Sequence, residues 1–311
     1  MTVTDWLLDS DPAIRWQVRR DLLDAPADEV AADRARVARE GWGARLLAAR
    51  DADGQWAGGA HFPADMTTGR YDAQPWTSTS HSLTLLRLFG IAPDDPAVAA
   101  TIAQIRDNCR WEHDGQRYFD GEVEPCINGQ LVANAVYFGL DMAPVVARLL
   151  ADRLGDGGWN CYTEHGSTVS SFASTLDVLE GLWAYELAVG GDADVAAARR
   201  GGEEYLLTRS LFRGARSGTV VDEDFLRFAF PARWQYDVLR ALEYFAQQGA
   251  KPDPRMADAV TILRDHRSPD GTWALERTIP GAVHVTMEAD GAPSRWNTLR
   301  ALRVLRWYDS W

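Results

Sequence analysis

A chain of 311 residues and 34.5 kDa is long enough to bury a substantial core without help from disulfides or metals. Its 46% hydrophobic and 25% charged residues exclude a disordered or collagen-like chain. With 45 acidic against 32 basic residues the net charge is -13, which repels phosphate backbones and anionic membranes, so no nucleic acid is expected as partner. No apolar run approaches the roughly 20 residues of a membrane span, and acids stand near the N-terminus where a secretory leader has bases, so the expected compartment is cytoplasmic. Three cysteines, Cys109, Cys126 and Cys161, are an odd number in a large chain and predict reduced thiols. Lys251 is the single lysine and sits in a turn-like stretch, which argues against Schiff-base chemistry.

In chain order, residues 4–8, 12–23 and 27–40 read as helices, so that residues 1–41 form a first helical layer. From residue 42 onward two kinds of helical stretch alternate. Residues 42–49, 98–106, 143–154, 196–207 and 255–265 mix apolar residues with charges, the pattern of helices with one wet face. Residues 79–89, 126–138, 172–188, 234–245 and 296–307 are apolar around more of their circumference and predict buried helices. Ser, Thr or Pro stands at the start of most of the second kind, as in Ser170-Ser171 and Pro293-Ser294, the residue types that cap or begin helices.

A short phrase separates the two kinds. Arg50-x-x-x-Gly54-x-Trp56, Arg153-x-x-x-Gly157-x-Trp159 and Arg267-x-x-x-Gly271-x-Trp273 share one form, each with Asp before the glycine. Degenerate copies lie between them, around Gly115 and Gly218, giving five copies about 54 residues apart. Asp-Gly allows the left-handed backbone needed between antiparallel helices, so the unit is an αα-hairpin that must stack on its neighbours to bury both faces. The whole chain, 1–311, is expected to be one all-α domain, an α/α toroid of about twelve to fourteen helices. The phrase tryptophans are expected to be structural, each stacked on its arginine.

These phrases resemble the Q-x-x-x-G-x-W repeats of the terpenoid cyclase and protein prenyltransferase superfamily, with Arg in place of Gln, over about residues 42–311. The chain looks most like single-toroid, squalene-cyclase-like bacterial proteins. The resemblance implies a toroid with an apolar central cavity and an isoprenoid or other hydrophobic small molecule as substrate. It also has departures. The Asp-x-Asp-Asp proton donor of the cyclases is absent, Asp222-Glu-Asp224-Phe being the nearest sequence, and so is Asp-Asp-x-x-Asp. Glu124-Pro-Cys126 resembles the Asp-x-Cys pair that holds zinc in the prenyltransferases, but Asn297 stands about where their histidine would be.

The candidate site residues lie at the starts of the buried helices. Asp237 and Glu124 are candidate acids, Asp237 because burial would raise its pKa and Glu124 because Pro125 fixes its neighbour. His81 is a candidate base and Cys126 a candidate nucleophile. Trp76, Phe172, Trp234, Tyr236 and Trp296 would line an apolar cavity, with Asn128, Asn160 and Asn297 as polar contacts. Cys126 and Cys161 with Glu124, or with His165, would make a zinc site. Three functions follow: an enzyme acting on an apolar small molecule by acid–base chemistry, a zinc-dependent transferase or hydrolase, and a lipid or peptide binder without catalysis.

Overall fold

The computed structural model describes residues 2–66 and 73–311. Among these residues it is predominantly helical, with thirteen α-helices and one small sheet. No helix among them is long and apolar enough to cross a membrane. The chain forms two compact units, one of residues 2–33, Glu203–Ile279 and Met287–Trp311, the other of Arg34–Gly202 with Pro280–Thr286. Helices α3 (Ala27–Ala35) and α10 (Ala193–Leu207) run across the division.

The first unit joins helices from both ends of the chain. It holds α1 (Val3–Leu8), α2 (Pro12–Asp21), α11 (Val238–Gln247), α12 (Ala257–Asp265) and α13 (Arg295–Tyr308). Local signals set the early boundaries. Thr2 and Asp5 form a reciprocal capping box on α1, and Asp11 caps α2 ahead of Pro12. Helix α2 meets α13, where the Arg303 guanidinium donates to Gln17 Oε1 at 2.6 Å and pairs with Asp21 and Glu243. The sheet is two short antiparallel strands, β1 (Trp273–Ala274) and β2 (Pro293–Ser294), with Trp273 opposite Ser294.

The second unit holds α4 (Gly41–Ala48), α5 (Thr79–Phe89), α6 (Pro96–Asn108), α7 (Pro125–Tyr137), α8 (Ala143–Ala151) and α9 (Phe172–Val189). Helices α7 and α9 pack backbone to backbone. A Cβ on Gly129 would come within 2.4 Å of the Asp177 carbonyl oxygen, and one on Gly181 within 2.3 Å of the Gly129 carbonyl oxygen. Gln130 Nε2 donates to Asp177 Oδ1 at 3.0 Å across the same contact. Both helices are buried along most of their length, whereas α8 buries only Val145, Val146 and Leu149, the division between buried and wet-faced helices that the sequence predicts.

The repeated phrase is built the same way three times. The indole N–H of Trp56 donates to Leu46 O at 2.8 Å, that of Trp159 to Leu149 O at 2.7 Å and that of Trp273 to Leu263 O at 2.7 Å. Each acceptor lies in the last turn of the preceding helix, where carbonyls run short of i+4 partners, although Leu46 O also accepts from the Ala49 N–H at 3.2 Å. The backbone N–H of each tryptophan donates to a threonine hydroxyl of the following helix, Thr79, Thr175 or Thr298. All three rings are fully buried, so each ties the end of one helix to the start of the next. The glycine is obligatory at this bend. Gly157 has φ +101°, and a Cβ there would stand 2.6 Å from the Gly201 carbonyl oxygen.

Several expectations are corrected by the packing. The helix predicted from residue 234 begins at Val238, because Asp237 is extended and caps it. The predicted helix 27–40 ends at Ala35. Helices α1 and α2 share a unit with α11–α13. Arg267 lies over the Trp273 ring at 5.3 Å as expected, but Arg50 hydrogen-bonds the Thr101 hydroxyl instead. The degenerate copies use a different device: Trp111 stacks on Tyr118 within a short β-bridged turn, Arg110 to Arg117, and a second bridge pairs Arg213 with Val220.

Candidate functional site

Three clusters gather the predicted residues, two in the second unit and one in the first. The cluster around His81 begins with the cap of α5. Ser78 is the N-cap residue, yet its side chain turns away and donates to His61 O at 2.6 Å. The first N–H groups of the helix are satisfied by backbone instead, Thr79 N–H by Gly59 O at 3.0 Å and Ser80 N–H by Ala60 O at 2.8 Å. This lays the segment ending at His61 along the start of α5. Glu112 fixes the same segment from outside, accepting from the N–H groups of His61 and Phe62 at 3.0 Å.

His61 and His81 consequently face each other, with ring centroids 4.8 Å apart. Gln74 Nε2 lies 3.4 Å from the Nε2 of both rings. An amide nitrogen only donates, so each Nε2 faces it as an acceptor. His81 is 3% exposed and meets Trp76 edge-on at 4.8 Å, while Phe62 stands against His61 at 4.9 Å. Burial pushes the His61 pKa down to about 4, and its buried Nδ1 has no hydrogen-bond partner among the described residues. Trp76 is held by a strap from residues 280–286: its indole donates to Pro280 O at 2.7 Å and its backbone N–H to Ala282 O at 2.8 Å. Both imidazoles thus lie in an aromatic setting.

The second cluster corrects the expectation of free thiols. Cys126 and Cys161 are joined, with S–S 2.06 Å, and a bonded sulfur is not the thiolate that zinc or a nucleophilic mechanism needs. Glu124 Oε2 lies 3.6 Å from Cys126 Sγ. Burial pushes the Glu124 carboxyl up, and the charges of Glu122 and Glu164 add to that. Asn128 has a structural role here, accepting from Glu122 N–H at 2.8 Å and donating to Glu122 O at 2.6 Å. Asn160 caps the short 3-10 turn Cys161–His165 and ties its loop to Ser167 and Val169. Phe172 is buried as the first residue of α9.

The third cluster lies in the first unit. Asp237 is fully buried, and its two oxygens accept from Arg240 N–H at 2.8 Å and Ala229 N–H at 3.3 Å. Burial pushes its carboxyl up, and the nearby Arg300 guanidinium opposes that. Its geometry is that of a helix cap, at the place where Ser171 caps α9 and Ser294 caps α13. Asn297 donates to Phe228 O and Ala274 O, at 3.1 and 2.9 Å. Trp296 stacks on Phe230 at 4.2 Å, and the Tyr236 hydroxyl donates to Leu211 O at 2.5 Å. Trp234, expected to line a cavity from within the helix, instead precedes the helix and is 44% exposed.

His81 and Trp76 are thereby brought together, as are Glu124, Cys126 and Cys161, and in the other unit Asp237 and Asn297 both lie near Arg300. Sequence reading missed His61 and Gln74, whose roles depend on a loop laid against α5. It also missed Glu288, which accepts from the Ser294 hydroxyl at 2.5 Å and from Arg295 N–H at 2.6 Å at the start of α13. A cleft of about 400 Å³ lined by Arg106, Arg117, Phe119 and the 140–145 segment contains none of the predicted residues.

No protein-family model matches the sequence, and no curated protein matches it. Among solved structures, a crystal structure of a protein from Actinoplanes is similar over 96% of this chain and 90% of its own, at 18% identity and a TM-score of 0.47. A likeness that loose carries neither fold nor function.

Proposed function

We propose that the protein is an enzyme that moves a proton on an apolar small molecule of the isoprenoid kind, with His81 as base and His61 and Gln74 as its positioning partners. The observation that supports this is the shared amide: one Gln74 nitrogen lies 3.4 Å from the Nε2 of both imidazoles, beside Trp76. Once an entering substrate displaces the Gln74 amide, the His81 Nε2 lone pair is released inside an aromatic pocket, where it can take a proton. The resemblance of the Gly-x-Trp phrases to terpenoid cyclases supports the substrate class, and the absence of their Asp-x-Asp-Asp acid favours isomerisation over protonation-initiated cyclisation. The test is a product screen by mass spectrometry with isoprenoid alcohols and hydrocarbons of increasing length. Wild type should convert at least one of them, and His81→Gln should lower kcat at least 100-fold. Binding without conversion by the wild type would overturn the enzyme reading in favour of a binder.

A second reading, a zinc-dependent transferase or hydrolase, is supported by one observation: ligand atoms of Glu124, Cys126 and Cys161 all lie within 4.8 Å of one another. It requires the disulfide to be open, and elemental analysis of reduced protein tests it: about one zinc per chain supports it, and none removes it.

A further inference from the structure

We propose that the Cys126–Cys161 bond is a thiol-exchange site, opened by a small thiol or dithiol that attacks Cys126 and expels Cys161. Both cysteines are partly exposed, and the 3-10 turn that carries Cys161 stands in solvent, with Tyr162 67% exposed beside it. An incoming thiolate can therefore reach the bond, unlike a crosslink sealed in a core.

The two sulfurs differ in their surroundings, and the difference sets the direction. Cys161 Sγ faces two donors, the backbone N–H of Cys126 at 3.4 Å and the Ser174 hydroxyl at 3.3 Å. Cys126 Sγ faces the Glu124 carboxyl at 3.6 Å. The other ionisable groups close to Glu124 are Glu122 on the approach to α7, and Glu164 and His165 on the 3-10 turn. Negative charge leaving on Cys161 is met by hydrogen-bond donors, whereas charge leaving on Cys126 would sit beside a carboxyl group. The better-stabilised thiolate is the better leaving group.

The step balances with a dithiol as reductant. Its thiolate forms a bond to Cys126 Sγ, the Cys126–Cys161 bond breaks, and the electron pair leaves on Cys161. The second thiolate of the reductant then attacks the reductant's own sulfur in the mixed disulfide and releases Cys126. The dithiol leaves as a cyclic disulfide, and the two cysteine thiolates take protons from water. Opening the bond frees the Cys161–His165 turn from α7 but leaves the α7–α9 contact at Gly129 and Gly181 in place.

Cys109 supplies an internal control. It is buried, and burial pushes its thiol up to about 12, so it reacts only if the chain opens. The experiment treats the oxidised wild-type protein briefly with reduced glutathione, quenches with an alkylating agent and maps the adducts by mass spectrometry. The expected result is glutathione on Cys126, the alkyl group on Cys161 and nothing on Cys109. Ser174→Ala should slow the opening roughly fivefold, and Ser174→Thr should restore it. Glutathione found on Cys161, or no adduct until Cys109 is also alkylated, would overturn the proposal. A bond that opens while no isoprenoid is converted would separate this inference from the proposed function.

Discussion

Each tryptophan of the repeated phrase combines two roles in one side chain, filling the space between helices and donating to a carbonyl in the last turn of the preceding helix. The two are separable at Trp159. Trp159→Phe keeps most of the packing and leaves Leu149 O without its donor, a loss of about 1–3 kcal/mol. Trp159→Ala also opens a cavity and should cost about 3–5 kcal/mol. Urea unfolding of the two variants measures both. The histidine pair makes its own prediction. With His61 held near 4 when folded and near 6.5 when unfolded, the unfolded chain binds the extra proton first as pH falls. The stabilisation is fully present above about pH 6.5 and is lost between there and about pH 4, a change on the order of 3 kcal/mol. His61→Phe should flatten the stability profile across that window, and a profile with the wild-type slope would show that His61 titrates normally. None of this was legible in the sequence around His61, because what places the ring is Ser78 and the first N–H groups of α5, far along the chain.

The helices show which local signals survive folding. Residues 79–89 were bounded correctly because Ser78 precedes them and Gly90 follows with φ +76°; the stop is local, whereas the start is closed by the Gly59 and Ala60 carbonyls rather than by the Ser78 side chain. At α11 the aromatic run Trp234–Tyr236 outweighed the cap, and the reading started too early by the few residues that Asp237 holds extended. The tiny sheet was invisible, since Trp273 and Ser294 pair only once the turn between them is closed. Glycines within these elements divide into required and spare. Gly129→Ala should cost about 1–3 kcal/mol, because its Cβ would meet the Asp177 carbonyl oxygen of α9. Gly155→Ala, with a negative φ and nothing within 4 Å, should be neutral or stabilising by a few tenths of a kcal/mol. Thermal melts of the two variants test whether α7 and α9 pack as closely as the geometry requires.

Across the whole molecule, composition and the periodic phrase settled the all-α class, because amphipathic period and helix stops are properties of local sequence. The site was only partly legible. His81, Glu124 and Cys126 were singled out from their places at helix starts, but His61 and Gln74 beside His81 and the bond between Cys126 and Cys161 depend on contacts over tens of residues. Opening the bond releases the Cys161–His165 turn. Amide hydrogen exchange after reduction should quicken around residues 160–169 and stay unchanged within residues 203–279. The most direct test of the central claim is incorporation of solvent deuterium into an isoprenoid incubated with the protein in heavy water. Proton movement through His81 predicts deuterium in recovered substrate or product with wild type, and at least 100-fold less with His81→Gln. Undiminished incorporation in that variant, or none with wild type while the same compound is bound, would contradict it.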